Sequence, residues 1–184
     1  MTTFIAFARA INLGNTRRFG KDDLRRVTES VGASGVSTHL NTGNVRLELD
    51  LGPGRTTQVS ELLEAAYLAD RGFEVSTCVF TPEQLAGVVA LADDLRTRFA
   101  PQAHYVQLLR EQPSDAAQRD FVAAHPDGVF GPGERAVLGD RSVHMVLEGA
   151  FGTAKVPQSA RLARLGVGTA RNVTVLRTLS ERWA

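Results

Sequence analysis

The chain has 184 residues, 43% of them hydrophobic, enough for one sizeable core or two small ones. Basic and acidic residues nearly cancel, 21 against 20, so bulk charge names no polyanionic partner. No apolar run approaches the roughly 20 residues needed to cross a bilayer, and Met1-Thr2-Thr3 lacks the basic start of a secretory signal, so a soluble cytoplasmic protein is expected.

The five apolar residues Phe4 to Ala8 run without a polar break. Such a run suits a short strand buried on both faces, in the middle of a sheet. Polar and basic residues follow: Arg9, Asn12, Asn15, Arg17 and Arg18. A helical stripe of Leu24, Val27 and Val31 then ends at Gly32, placed as a helix-closing glycine. Val36 to Leu40 reads as a strand, Asn41-Thr42-Gly43-Asn44 as a tight turn, and Val45, Leu47 and Leu49 as a half-buried strand. Gly52-Pro53-Gly54 breaks the chain. Val59, Leu62, Leu63 and Ala66 mark a second helix closed by Gly72, and Glu74 to Phe80 a fourth strand. Cys78 lies in that strand; as the single cysteine it forms no intramolecular disulfide and reads as a small buried hydrophobe.

The order βαββαβ within residues 1–80 is the split βαβ, or ferredoxin-like, arrangement, in which the first and third strands are central. Thr81-Pro82-Glu83-Gln84 then opens a connecting helix over 81–101, with Thr as N-cap, Pro at the first helical position and Gln at the third. The pattern restarts. His104 to Arg110 is a strand, and Pro113-Ser114 caps a helix with Ala117, Phe121 and Ala124 on one face. Arg135 to Leu138 and Ser142 to Glu148 form a hairpin, and Leu162 and Leu165 lie on a helix ending at Gly166. Val175, Leu179 and Trp183 recur along a last helix. The fold class expected is α+β: two ferredoxin-like units, 1–80 and 102–184, the second a candidate duplication of the first, with a C-terminal helical extension.

Three motifs carry a resemblance. Arg9-Ala10-Ile11-Asn12-Leu13-Gly14, Asn41-Thr42-Gly43-Asn44-Val45 and Thr169-Ala170-Arg171-Asn172 resemble, in order and spacing, the family called domain of unknown function 1697. Its members look like Arg-Gly-Ile-Asn-Val-Gly-Gly, Gln-Ser-Gly-Asn-Val and Thr-Ala-Arg-Asn-Trp at these places. Lys155, in Gly152-Thr153-Ala154-Lys155, looks like the remnant of the family's Ser-Lys-Leu stretch. The resemblance implies two ferredoxin-like units and no established activity. Ala10, Asn15, Asn41, Thr42 and Val173 depart from the family pattern.

The chemistry these residues can support is limited. Gly14 to Lys21 follows a strand and opens a helix, as a phosphate-binding loop does. However, five residues separate Gly14 from Gly20, and Asp22 stands where magnesium needs a hydroxyl, so a Walker A reading is rejected. The four histidines, His39, His104, His125 and His144, have no metal-binding spacing, and no nucleophile elbow is present. No metal or cofactor is expected. Residues 150–184 hold six basic residues and one acid, a stretch able to attract anions, nucleic acid included, or to form a solvated basic helix face.

Three readings remain open. The first is a binding module for a phosphate-bearing or other anionic ligand, a small nucleotide or nucleic acid, in a pocket between the units. Its candidate residues are Arg9, Asn12, Asn15, Arg17, Arg18, Asn41, Asn44, Lys155, Arg171 and Asn172. An Arg9 at the end of a central strand is expected to be partly buried and to need a partner. Each Asn serves either a ligand or its own turn. The second is a small phosphoryl-transfer or acylphosphatase-like hydrolase using a loop Arg and a strand-end Asn. The third is an interaction protein whose motifs are architectural. No membrane partner is expected, and the oligomeric state is open.

Overall fold

The computed structural model describes residues 1–14 and 16–183. The fold is mixed α+β, with two antiparallel sheets carried by two compact units: Met1–Gln84, joined by the residues from Arg182 onward, and Leu85–Glu181. Among the described residues, no helix is long and apolar enough to cross a membrane.

Unit 1 contains β1 (Thr2–Ala8), α1 (Lys21–Ser30), β2 (Ser34–His39), β3 (Asn44–Leu49), α2 (Thr56–Arg71) and β4 (Thr77–Phe80), with sheet order β2-β3-β1-β4. The unbroken apolar run does what its pattern predicts: Phe4 to Ala8 are all buried, with β1 paired to β3 on one side and β4 on the other. Phe4, Ala6 and Ala8 pack into a core with Leu47, Val59 and Leu63, while Ile5 and Phe7 are buried on the opposite face. Each of the larger side chains here, Phe, Ile, Leu and Val, contributes about 1.5–3 kcal/mol over exposure. The core also takes in the Tyr67 hydroxyl, which meets the buried Thr28. Thr28 gives its only hydroxyl proton to Leu24 O at 2.7 Å, so Tyr67 donates to Thr28 Oγ1 across 2.9 Å. Burial pushes the Tyr67 pKa up.

β4 starts at Thr77, three residues later than its apolar pattern suggests. The residues before it bond elsewhere: Glu74 O accepts from Arg17 Nη2, and Ser76 O accepts from Arg9 N at 2.8 Å. Gly72 closes α2 at φ 72°, its N–H bonded to Leu68 O at 2.9 Å.

Unit 2 is built from α3 (Pro82–Phe99, within this unit from Leu85), β5 (Ala103–Leu109), α4 (Asp115–Ala124), β6 (Val129–Gly131), β7 (Glu134–Gly139), β8 (Ser142–Leu147), α5 (Ala160–Arg164), β9 (Gly168–Asn172) and α6 (Val173–Trp183, within this unit to Glu181). The expected capping box opens α3: Thr81 N donates to Gln84 Oε1 at 3.0 Å, and Gln84 N to Thr81 Oγ1 at 3.2 Å. The sheet order is β6-β7-β8-β5-β9. β8 is buried along its whole length. Val143, Met145 and Leu147 enter a core with Leu109, Phe121 and Val156, and His144 lies on the other face. On α6 the buried stripe is Val173, Leu176, Leu179 and Trp183; Leu179 and Trp183 are as expected, while Val175 is only partly buried. The helix starts directly from β9.

Candidate functional site

The polar loop after β1 is a clamp. Asn12 sits at φ 56°, a left-handed conformation that Asn tolerates. Its Nδ2 donates to Phe19 O at 2.8 Å and to Asn41 O at 2.7 Å, while Oδ1 accepts from Phe19 N at 2.8 Å. Both amide protons are thus spent on backbone carbonyls. Asn12 closes its own loop and ties that loop to the β2–β3 turn. Arg17 threads the same loop: Nε donates to Ala10 O at 2.8 Å, Nη2 to Glu74 O, and the guanidinium lies 4.8 Å from the Phe73 ring centroid. Asn44 is fully buried and gives Nδ2 to His39 O and Thr42 Oγ1, both at 3.0 Å. Gly43 allows the approach, because a Cβ there would lie 2.7 Å from Ala8 Cβ at a φ of +82°.

The remaining candidates divide. Arg9 is exposed rather than partly buried, and its side chain meets no partner among the described residues. It therefore needs no internal counter-charge. Arg18 and Asn41 are exposed, and Asn41 contributes a carbonyl. Asn15 lies outside the described residues. In unit 2, Lys155 is exposed; its backbone N–H donates to the Glu134 carboxylate at 2.9 Å. Arg171 is buried, with Nη1 on Thr169 Oγ1 at 2.8 Å and Ala170 O at 2.9 Å. Asn172 caps α6, its Oδ1 accepting from Thr174 N at 2.8 Å. The structure thus joins Asn12, Asn41 and Arg17 in one loop cluster and Arg171 with Asn172 at one strand end.

Asn172 also lines a pocket of about 550 Å³ within unit 2, together with Arg96, His104, Tyr105, Phe151 and Arg177. That volume falls within the usual range for small-molecule sites, about 300–1,000 Å³. The pocket lies where β9 turns into α6. β5 runs from Ala103, but β9 pairs with it only from Tyr105 onward, so Ala103 and His104 have no β9 partner. Arg96, on the last turns of α3, is exposed and meets no side-chain partner among the described residues. Arg177, one turn into α6, pairs with Asp93.

His104 is 8% exposed and bonds His144 Nδ1 through Nε2 at 3.2 Å. The pair arises from register: His104 faces Val146 and Val106 faces His144, which makes the two histidines diagonal neighbours on one sheet face. Burial first, then the Arg177 charge, pulls the His104 pKa down to about 4 against an opposing pull from Asp93. Burial, then His104, pulls His144 down to about 3. Both rings are neutral at pH 7. His144 Nε2 is buried with no partner among the described residues. An orphaned acceptor costs less than an orphaned N–H, which assigns the His144 proton to Nδ1, donated to His104. His104 then holds its own proton on Nδ1, which has no partner among the described residues.

The family model described as "Protein of unknown function (DUF1697)" matches residues 1–143. The chain belongs to the DUF1697 family. Two of the three motifs above, the Asn12 loop and the Gly43 turn, lie inside the span that matches the DUF1697 model; Thr169 to Asn172 lies beyond it. Among solved structures, the chain is similar to the conserved bacterial protein SP0830 from Streptococcus pneumoniae, with a TM-score of 0.71 and 17% identity over 100% of this chain and 99% of that one. At that identity the likeness concerns the fold alone. Among curated protein sequences, none matches the chain.

Arg96, His104 and Arg177 were not candidates from sequence. Arg96 reads as an ordinary solvated helix cation, and the two histidines lie 40 positions apart. The usable signal was the β7–β8 hairpin, whose alternation sets His144 opposite to the Met145 face.

Proposed function

We propose that this protein is a binding module for a phosphate-bearing anionic ligand, taken by the pocket of unit 2. One observation supports this most: Arg96 and Arg177 line the same pocket as the buried His104 ring and the start of an 11-residue helix. Both guanidinium groups line the pocket, and an anion lowers its energy beside them. The N-terminal end of α6 adds a partial positive charge of the same sign.

The test is calorimetric titration of the full chain with pyrophosphate. Binding should weaken as salt rises. Arg96→Ala and Arg177→Ala should each weaken it roughly tenfold or more, the range for hydrogen bonds to a charged group. No binding at low ionic strength, or binding unchanged in both variants, rejects the reading.

The architectural reading is favoured for the N-terminal motifs, where Asn12, Arg17 and Asn44 are occupied by backbone groups. That same occupation leaves no observation in favour of an acylphosphatase-like hydrolase, since the Arg17 guanidinium already serves two carbonyls.

We also infer that each unit is a ferredoxin-like fold and the second a duplication of the first. The strand order supports it: β2-β3-β1-β4 in one sheet parallels β7-β8-β5-β9 in the other, with β6 an added edge strand. A cytoplasmic setting belongs to the same proposal, in keeping with a single cysteine, Cys78, that is buried.

A further inference from the structure

The unit-2 pocket has two chemically different ends, and strand geometry keeps them apart. Successive residues of a strand point to opposite faces of the sheet. Tyr105 packs toward the core on one face, and His104 meets His144 on the other. Both nevertheless line the same pocket, so the pocket wraps around the sheet edge where β9 stops. On the Tyr105 side stands an aromatic pair: Tyr105 and Phe151 stack with ring centroids 4.0 Å apart and planes at 24°. Both rings are only partly buried. On the His104 side stands the basic group, Arg177, with Arg96 also lining the pocket. A small inorganic anion uses one end and leaves the aromatic surface wet.

We propose that the ligand is a nucleoside phosphate, with its base against the Tyr105–Phe151 pair and its phosphates held by Arg96, Arg177 and the His104 Nδ1–H. This rests on the anion-binding reading above and adds the organic half of the ligand. An aromatic face accepts any base by stacking, so selectivity among bases is expected to be weak. His104 contributes as a neutral donor. It is more than nine-tenths buried and lines the pocket, and Nδ1 has no partner among the described residues. Among the described residues, the Asp93 carboxylate pairs with Arg177 and the His144 ring bonds His104 at this end.

The experiment titrates the full chain with ADP and, separately, with pyrophosphate at one low ionic strength. ADP should bind about tenfold tighter, the margin that one stacked base supplies. Phe151→Ala should weaken ADP more than pyrophosphate and so erase the margin. Phe151→Leu keeps most of the apolar volume without a ring, guards against misfolding, and should erase the margin too. If pyrophosphate binds as tightly as ADP, or if both Phe151 variants keep the margin, the nucleoside inference is overturned and the anion-binding reading stands. If neither ligand binds, both fall. Binding of single-stranded oligoadenylate with none of ADP also overturns it.

Discussion

The loop after β1 and the pocket beside β9 both draw on Arg and Asn, but they differ in how many of their polar groups already have partners. In the loop, the Asn12 amide and the Arg17 guanidinium end on backbone carbonyls of their own unit. In the pocket, Arg96 meets no side-chain partner among the described residues, and His104 keeps one ring nitrogen open. Residue identity does not separate a clamp from a binding site. What separates them is whether the donors are already satisfied.

The sharpest way to break this contrast is at the clamp. Gly43→Ala should destabilise the protein by about 3–4 kcal/mol, because the new Cβ overpacks against Ala8 at a left-handed φ. Chemical denaturation reads this directly, and a loss below about 1 kcal/mol would show that the turn yields more easily than its contacts imply. Asn12→Ala should follow at about 2–4 kcal/mol, from three lost hydrogen bonds and a left-handed φ that Ala tolerates poorly. Its pyrophosphate affinity should stay at the wild-type level when measured well below the melting temperature. A parallel loss of affinity would move the loop from scaffold to site.

The histidine pair sharpens the other side. Both folded pKa values lie below the ordinary 6.5, at about 4 and about 3, so the unfolded chain binds more protons between those values and 6.5. Stability is therefore fully present above pH 6.5 and is lost as pH falls toward 4 and below, at up to about 1.4 kcal/mol per pH unit for each ring. His144→Leu should flatten that slope in urea titrations run at pH 7 and pH 4.5. A variant with the wild-type slope would assign the acid sensitivity to other groups. The smallest effect belongs to Arg96→Ala, which should change stability by no more than about 0.5 kcal/mol as an exposed side chain. Differential scanning fluorimetry suffices, and a large drop in melting temperature would mean that Arg96 braces the fold.

Local pattern made much of the fold legible. The Phe4–Ala8 run announced a strand buried on both faces, the Thr81–Gln84 spacing a capping box, and Gly43 a turn. The motifs around Asn12, Asn44 and Asn172 were visible as well, but their use was not. An Asn that binds a ligand and an Asn that ties down a loop have the same letter and the same neighbours. The pocket was hidden for another reason. His104 and His144 meet only through the β5–β8 register, and Arg96 and Arg177 reach one pocket from two helices distant in the chain. Single-residue periodicity holds no record of such pairings.

β9 passes into α6 with no connecting residue, and Asn172 belongs to the end of one and the cap of the other. The junction works like a rigid elbow. A molecule that grips the first turn of the helix necessarily tugs the outermost ladder of the sheet. The amide protons of Gly168 to Asn172 should therefore slow their exchange with solvent when the pocket fills, which gives a spectroscopic gauge of occupancy that needs no label and no turnover.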